Sequence, residues 1–141
     1  MTKIDFLYDV DEFHNGIHLI FKNFYKNQKT QIFSDSNEKN LSEKIWSMDS
    51  YFIPNLINPI SHDASKSVLE SVALSNDFNS SFDELLINAS SLECPYFSRF
   101  VNLIEIVTIN EKVKVGARLR LQNYRDSGYE IDFIDYKELA N

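Results

Sequence analysis

The sequence predicts a single α/β domain over residues 1–141, with a mostly parallel sheet covered by helices on both faces. Short apolar runs typical of strands alternate with segments whose apolar residues recur at helical spacing, and this alternation indicates parallel strands joined by helices. The chain has 141 residues, of which 43% are hydrophobic, so one core forms without disulfides or a structural metal. It contains only three glycines, too few for the closely spaced glycines of a dinucleotide or phosphate loop.

The first part of the chain predicts two strand-and-helix units. Residues 3–8 form an apolar run, and the carboxylates of Asp9 and Asp11 that follow it suit a helix start. The apolar residues at helical spacing in that helix are Phe13, Ile17, Ile20, Phe21 and Phe24. Residues 29–33 predict a second strand, and the polar residues 34–38 would cap a second helix. That helix would carry Leu41, Ile45 and Trp46.

The middle of the chain predicts a corner, a loop and a strand. Pro54 has no N–H to donate and pushes the residue before it toward extended geometry, so the second helix must end before it. Residues 55–67 contain Pro59 together with several Ser, Asn and Asp residues, which predicts a loop. Residues 68–74 then resume a strand-like pattern.

The last part of the chain predicts three strands and a long helix. Residues 85–89 indicate a buried strand, and residues 100–109, rich in β-branched side chains, indicate the clearest strand, which we expect in the centre of the sheet. A helix over 110–126 should stop near Gly128, and residues 129–136 alternate as a final strand.

Charge and cysteine content indicate where the protein works. The chain carries 14 basic and 21 acidic residues, a net charge of -7, which opposes capture of a nucleic-acid backbone by the whole surface. No apolar run approaches the roughly 20 residues that cross a bilayer, and no signal peptide is evident. The lone Cys94 fits a reducing compartment. We therefore expect a cytoplasmic protein without a membrane segment.

Three sets of residues are candidates for chemistry. His14 and His18 have a spacing that could seat a metal, but no third ligand completes a pattern, which favours a solvated helix face. Cys94 would need a histidine and an electropositive setting to act as a nucleophile, which favours a structural thiol. Asp9 and Asp11 follow the first strand, where open sheets place ligands, so they indicate either a phosphoacceptor or metal site, or helix capping. The low glycine count favours a protein that is not an enzyme.

A basic segment at 111–125 stands out because it holds five cations in an acidic chain. On a helix its apolar residues share one side and three cations form the adjoining stripe, namely Val113, Ala117, Leu121 and Tyr124 beside Lys114, Arg118 and Arg125. Two interpretations are open. The chain's own carboxylates neutralise the cations on a solvated face, or the stripe forms a cleft for a short acidic peptide with one large hydrophobic residue.

A cluster of large side chains surrounds the predicted corner at residues 45–56. It includes Trp46, Phe52 and Pro54. These side chains either pack into the core or form the exposed anchors of a protein interface, and both interpretations are open.

With these segments the chain resembles the chi subunit of bacterial DNA polymerase III holoenzyme over nearly its full length. The residues that carry the resemblance are 4–8, Ile45-Trp46 followed by 51–54, 86–88, 100–107, and the basic helix running into Gly128. The resemblance implies a Rossmann-like α/β fold without a nucleotide site. It also implies a non-catalytic adaptor that needs no cofactor or metal.

The resemblance further implies two partners. The psi subunit of the clamp loader would bind at Trp46, Phe52 and Pro54, a surface that in the family also receives a helicase. The acidic, phenylalanine-terminated C-terminal tail of single-stranded-DNA-binding protein would bind at Lys114 and Arg118, with Tyr124 and Arg125 nearby. The protein would then reach nucleic acid only indirectly.

Three positions depart from the family pattern. Leu121 and Gln122 stand where members commonly carry Tyr-Lys, which removes a ring and a cation from the implied tail site, and Asn55 stands where members carry His. Two other hypotheses stand beside the adaptor. One is a small α/β enzyme or phosphoacceptor domain that uses Asp9 and Asp11 with a divalent ion. The other is direct binding of single-stranded nucleic acid along the basic helix.

Overall fold

One parallel sheet organises the described part of the chain, which in this computed structural model comprises residues 1–23, 28–34, 56–57, 72–74 and 83–140. Its strands are β1 (Lys3–Val10), β2 (Thr30–Phe33), β3 (Leu56–Ile57), β4 (Val72–Leu74), β5 (Leu85–Asn88), β6 (Asn102–Thr108) and β7 (Ile131–Asp135). They lie in the order β3-β4-β2-β5-β6-β1-β7, and each neighbouring pair is parallel. The helices are α1 (Phe13–Asn23), α2 (Glu111–Asp126) and the short α3 (Tyr136–Ala140).

Helices pack on both faces of the sheet, because alternate strand residues point to opposite sides. On one face α1 buries its apolar side against a cluster that includes Leu7, Ile32, Ile87, Ile104 and Ile106. On the other face α2 buries Ala117 and Tyr124 against a cluster that includes Ile4, Phe6, Leu86 and Leu103. The prediction of a parallel α/β sheet with helices on both faces is confirmed.

Most predicted elements in the described residues are present. The strands expected at 3–8, 29–33, 85–89 and 100–109 form β1, β2, β5 and β6, and β6 lies inside the sheet between β5 and β1. Asn110 caps α2, since its side chain accepts hydrogen bonds from the backbone N–H groups of Lys112 and Val113. Gly128 has φ +84, as expected for a residue just beyond a helix end.

Two boundaries differ from the prediction. The expected loop at 55–67 is wrong at its start, because Leu56–Ile57 pairs with β4, and long-range pairing of this kind leaves little local signal. The expected strand at 129–136 is shorter, and Tyr136 begins α3. The helix carrying Trp46 and the corner at Pro54 lie outside the described residues.

A buried ion pair joins α2 to the sheet. Glu105 on β6 is fully buried, and Arg120 on α2 is 4% exposed. The guanidinium forms two hydrogen bonds with the carboxylate, from Nε to Oε2 at 2.9 Å and from Nη2 to Oε1 at 3.1 Å. The hydroxyl of Tyr124 donates to Oε2 at 2.7 Å. Burial raises the pKa of Glu105, and the charge and hydrogen bonds of Arg120 act against that rise.

The same arginine also connects α2 to the loop after β5. Its Nη1 donates to the backbone oxygen of Ser91 at 2.9 Å. A Cβ on Gly116 would lie 2.5 Å from that oxygen, so only glycine lets the loop approach the helix this closely. The loop, the helix and β6 are therefore tied together around one guanidinium.

We predict that Glu105→Ala lowers the free energy of unfolding by about 3–5 kcal/mol, because the variant leaves the Arg120 cation and the Tyr124 hydroxyl buried without their acceptor. Urea denaturation followed by circular dichroism measures this change. Glu130→Ala, which removes the same charge at an exposed position, should change stability by less than about 0.5 kcal/mol. Equal effects of the two substitutions would contradict a structural role for the buried pair.

Candidate functional site

A cleft of about 540 Å³ opens between α2 and the end of the sheet formed by β1 and β7. Its lining residues are Phe6, Tyr8, Asp9, Val107, Lys114, Ala117, Arg118, Leu121 and Phe133. Apolar and aromatic groups predominate on its walls, and two cations from α2 stand beside them. This composition suits a ligand that combines a hydrophobic side chain with negative charge.

Local geometry explains why these residues converge. Lys114, Arg118 and Leu121 are spaced three or four residues apart, which places them in neighbouring turns on one side of α2. Phe6 on β1 is paired in register with Phe133 on β7, so both rings point to the face that α2 covers. Their centroids are 5.9 Å apart. The cleft thus has a helix for one wall, and its floor is formed by β1, β7 and, through Val107, β6.

Carboxylates of the described residues engage the cations of the cleft only weakly. Lys114 Nζ lies 3.9 Å from Glu111 Oε1, at the outer limit of an ion pair, and the Glu111 side chain is 80% exposed, where such pairs contribute little. Arg118 is exposed and forms no ion pair with another residue of the described ranges. The guanidinium of Arg125 lies 5.9 Å from the centre of the Phe133 ring. Of the two interpretations of the basic helix, this geometry favours a cleft, because no carboxylate of the described residues pairs closely with Lys114 or Arg118.

Only some of the residues expected at the tail site line the cleft. Lys114, Arg118 and Leu121 line the cleft, and Arg125 reaches its edge through Phe133. Gln122 is exposed, and its amide donates to Asp126 Oδ1 at 3.0 Å. The expectation that Tyr124 belongs to the tail site is wrong. Tyr124 is 1% exposed, and its hydroxyl donates to the buried Glu105. Its ring is therefore not available to a ligand.

Phe133 and Phe6 are cleft residues that the sequence pattern did not identify as part of a binding site. Asp9 also lines the cleft, whereas the sequence indicates a phosphoacceptor or metal site or helix capping for this residue. The alternation in the last strand places Phe133 on the face of Ile131, but it does not show that this part of the face lies beside an open cleft. Asp9 adopts φ +62, a left-handed conformation that Asp tolerates better than most residues, where β1 changes register. Its carboxylate is the acidic group of the cleft.

Asp9, near the end of β1, and Asp11, just after it, have different roles. Asp11 Oδ1 accepts the backbone N–H of Glu12, and Oδ2 accepts the side-chain amide of Asn15, both at 3.0 Å. Asp11 therefore supports the start of α1, in keeping with the capping interpretation. Within the described ranges no group of three or more His, Cys, Asp or Glu residues is arranged to hold a metal ion.

Cys94 is 1% exposed and belongs to the apolar cluster beneath α2. Burial raises the pKa of its thiol to about 11. This environment is typical of a structural cysteine. None of the helices described is long and apolar enough to span a membrane.

The comparison with known families agrees with the resemblance noted above. The family model described as DNA polymerase III chi subunit, HolC, matches residues 1–132. No curated protein matches the chain significantly. The matched range contains both cations of the cleft and ends one residue before Phe133.

We predict that Cys94 is alkylated far more slowly in the folded protein than in the unfolded chain. With a pKa of about 11, only on the order of one thiol in a thousand is ionised near pH 8. Iodoacetamide labelling followed by mass spectrometry measures the rate, and the same reaction in concentrated urea is the control. Rapid labelling under native conditions would show that the thiol is accessible and ionised.

Proposed function

The chain belongs to the DNA polymerase III chi subunit family, HolC, and from this membership we propose that it links the clamp loader to single-stranded-DNA-binding protein. The family is one of non-catalytic polymerase subunits, which supports an accessory role in DNA replication. Our proposal adds two partners, the psi subunit of the clamp loader and the acidic C-terminal tail of single-stranded-DNA-binding protein. We further propose that the chain acts as one domain in the cytoplasm.

The observation that carries the tail proposal is the cleft between α2, β1 and β7. Arg118 offers a planar fork that suits a carboxylate, and Lys114 adds a second positive charge beside it. The apolar lining would take a large hydrophobic side chain of the same peptide. A short acidic tail with a hydrophobic end fits both features, whereas a wholly polar peptide would leave the apolar lining uncovered.

The charge distribution favours a peptide over direct binding of nucleic acid. The net charge is -7, so a long polyanion is repelled by most of the surface. One of the five cations on the basic helix, Arg120, is buried in the pair with Glu105 and has no part in surface binding. The cations that remain suit a local anionic group better than an extended phosphate backbone.

The surface proposed for the psi subunit uses Trp46, Phe52 and Pro54. These residues lie outside the described ranges, so this part of the proposal rests on family membership alone. A helicase remains a further proposed partner at the same surface.

We predict that Arg118→Ala weakens binding of an acidic peptide ending in phenylalanine by roughly 10- to 100-fold, since a charge-assisted hydrogen bond contributes about 1.5–3 kcal/mol. Fluorescence anisotropy with a labelled peptide gives Kd, and the wild-type affinity should fall as salt is raised. The matched control is Lys112→Ala, which removes the same charge from an exposed position of α2 away from the cleft. Salt-independent binding, or equal losses in both variants, would exclude the cleft as the tail site.

We predict that Asp9→Asn strengthens binding of the same peptide about 2- to 5-fold, because it removes a negative charge from the cleft. Asparagine also tolerates a positive φ, so the backbone at this position is preserved. Titrations of wild type and variant under identical salt conditions measure the difference.

The same position tests the alternative of a metal-dependent enzyme or phosphoacceptor. If the adaptor proposal holds, the NMR signals of Asp9 and Asp11 stay unmoved during a magnesium titration of the wild-type protein. Signals that shift in the wild type and not in Asp9→Asn, together with weaker peptide binding in the variant, would favour the metal site instead.

A further inference from the structure

We infer that Phe133 determines which C-terminal residue the cleft accepts, by contacting an aromatic side chain at the end of the bound peptide. This inference rests on the proposed function and names a specificity residue of the same site. Phe133 lies outside the range that the family model matches, so the role given to this residue is argued from the structure of this chain and not from the family match.

The position of Phe133 makes its ring available. It stands on β7, the last strand of the sheet order in the described residues, and its side chain is 51% exposed. A large apolar group exposed on an edge strand is a liability unless a partner covers it. Phe133 lines the cleft together with Lys114 and Arg118.

The neighbours of Phe133 hold the ring in place. The Phe6 ring packs against it with centroids 5.9 Å apart and an angle of 33° between the ring planes. Phe6 itself is buried and also contacts the ring of Tyr124, at 6.1 Å. Phe133 is therefore the outer member of a row of rings that begins in the core, and a ligand ring would extend that row.

The cation over Phe133 indicates that the ligand ring belongs to a C-terminal residue. The Arg125 guanidinium lies 5.9 Å from the ring centre, near the outer limit of a cation–π contact, and Arg125 is exposed. A C-terminal aromatic residue carries a ring and a carboxylate on the same unit. Phe133 and Arg125 offer the complementary pair at the edge of the cleft, an aromatic ring with a guanidinium 5.9 Å from its centre.

The test compares two acidic peptides that differ only in their last residue, phenylalanine or leucine, on full-length protein. The wild type should bind the phenylalanine peptide roughly 2- to 10-fold more tightly, the range that an aromatic pair contributes. Phe133→Leu should abolish this preference and retain binding of the leucine peptide. Leu119→Ala, which truncates an exposed apolar residue of α2 outside the cleft, should keep it.

The outcomes separate the inference from the proposed function. If the wild type binds neither peptide, the tail proposal fails and the inference fails with it. If the wild type binds both peptides and Phe133→Leu still prefers phenylalanine, only the inference is overturned. A direct contact is checked on the wild type by nuclear Overhauser effects between the terminal ring of the peptide and the Phe133 ring, and their absence in the saturated complex would equally overturn the inference.

Discussion

The buried pair of Arg120 and Glu105 sets how α2 lies on the sheet, and the cleft depends on that placement. A two-point hydrogen bond from a planar guanidinium fixes rotation as well as distance. Once Arg120 points inward, the helical period places Lys114, Arg118 and Leu121 in a stripe about 60° wide along one flank of the helix. That flank faces β1, β6 and β7, which supply most of the remaining cleft residues.

The cations of the basic helix therefore have two roles, one in the core and one at the surface. Arg120 is desolvated, and its guanidinium donates to the Glu105 carboxylate and to the backbone oxygen of Ser91, so its charge stabilises a specific packing arrangement. Lys114, Arg118 and Arg125 keep access to solvent and can respond to a ligand. In an acidic protein this concentrates positive potential at one place and leaves the remaining surface repulsive to polyanions.

The cleft lies near the carboxyl end of β1. Tyr8 and Asp9 are near the carboxyl end of β1, the edge at which open parallel sheets commonly bind ligands. Here no glycine-rich turn brings backbone N–H groups toward a phosphate. Side chains of α2 and β7 line the cleft instead.

The sequence by itself determined the fold class, the succession of strands and helices outside residues 35–82 apart from α3, the limits of α2 and the local excess of positive charge. Each of these follows from periodicity, capping residues and composition, which act over a few neighbouring residues. The sequence also placed Lys114 and Arg118 in one stripe beside an apolar side that includes Leu121, because helical geometry is local.

Only the tertiary structure decided that Arg120 is internal, that Tyr124 belongs to the core, and that Phe133 and Asp9 line the cleft. All three outcomes depend on contacts between residues far apart in the chain, such as Arg120 with Glu105 and Phe6 with Phe133. The five cations of α2 have similar local surroundings in the sequence, so no short-range pattern separates the buried one from the exposed ones. Arg120 is buried because the carboxylate of Glu105 on β6 lies beneath it in the fold.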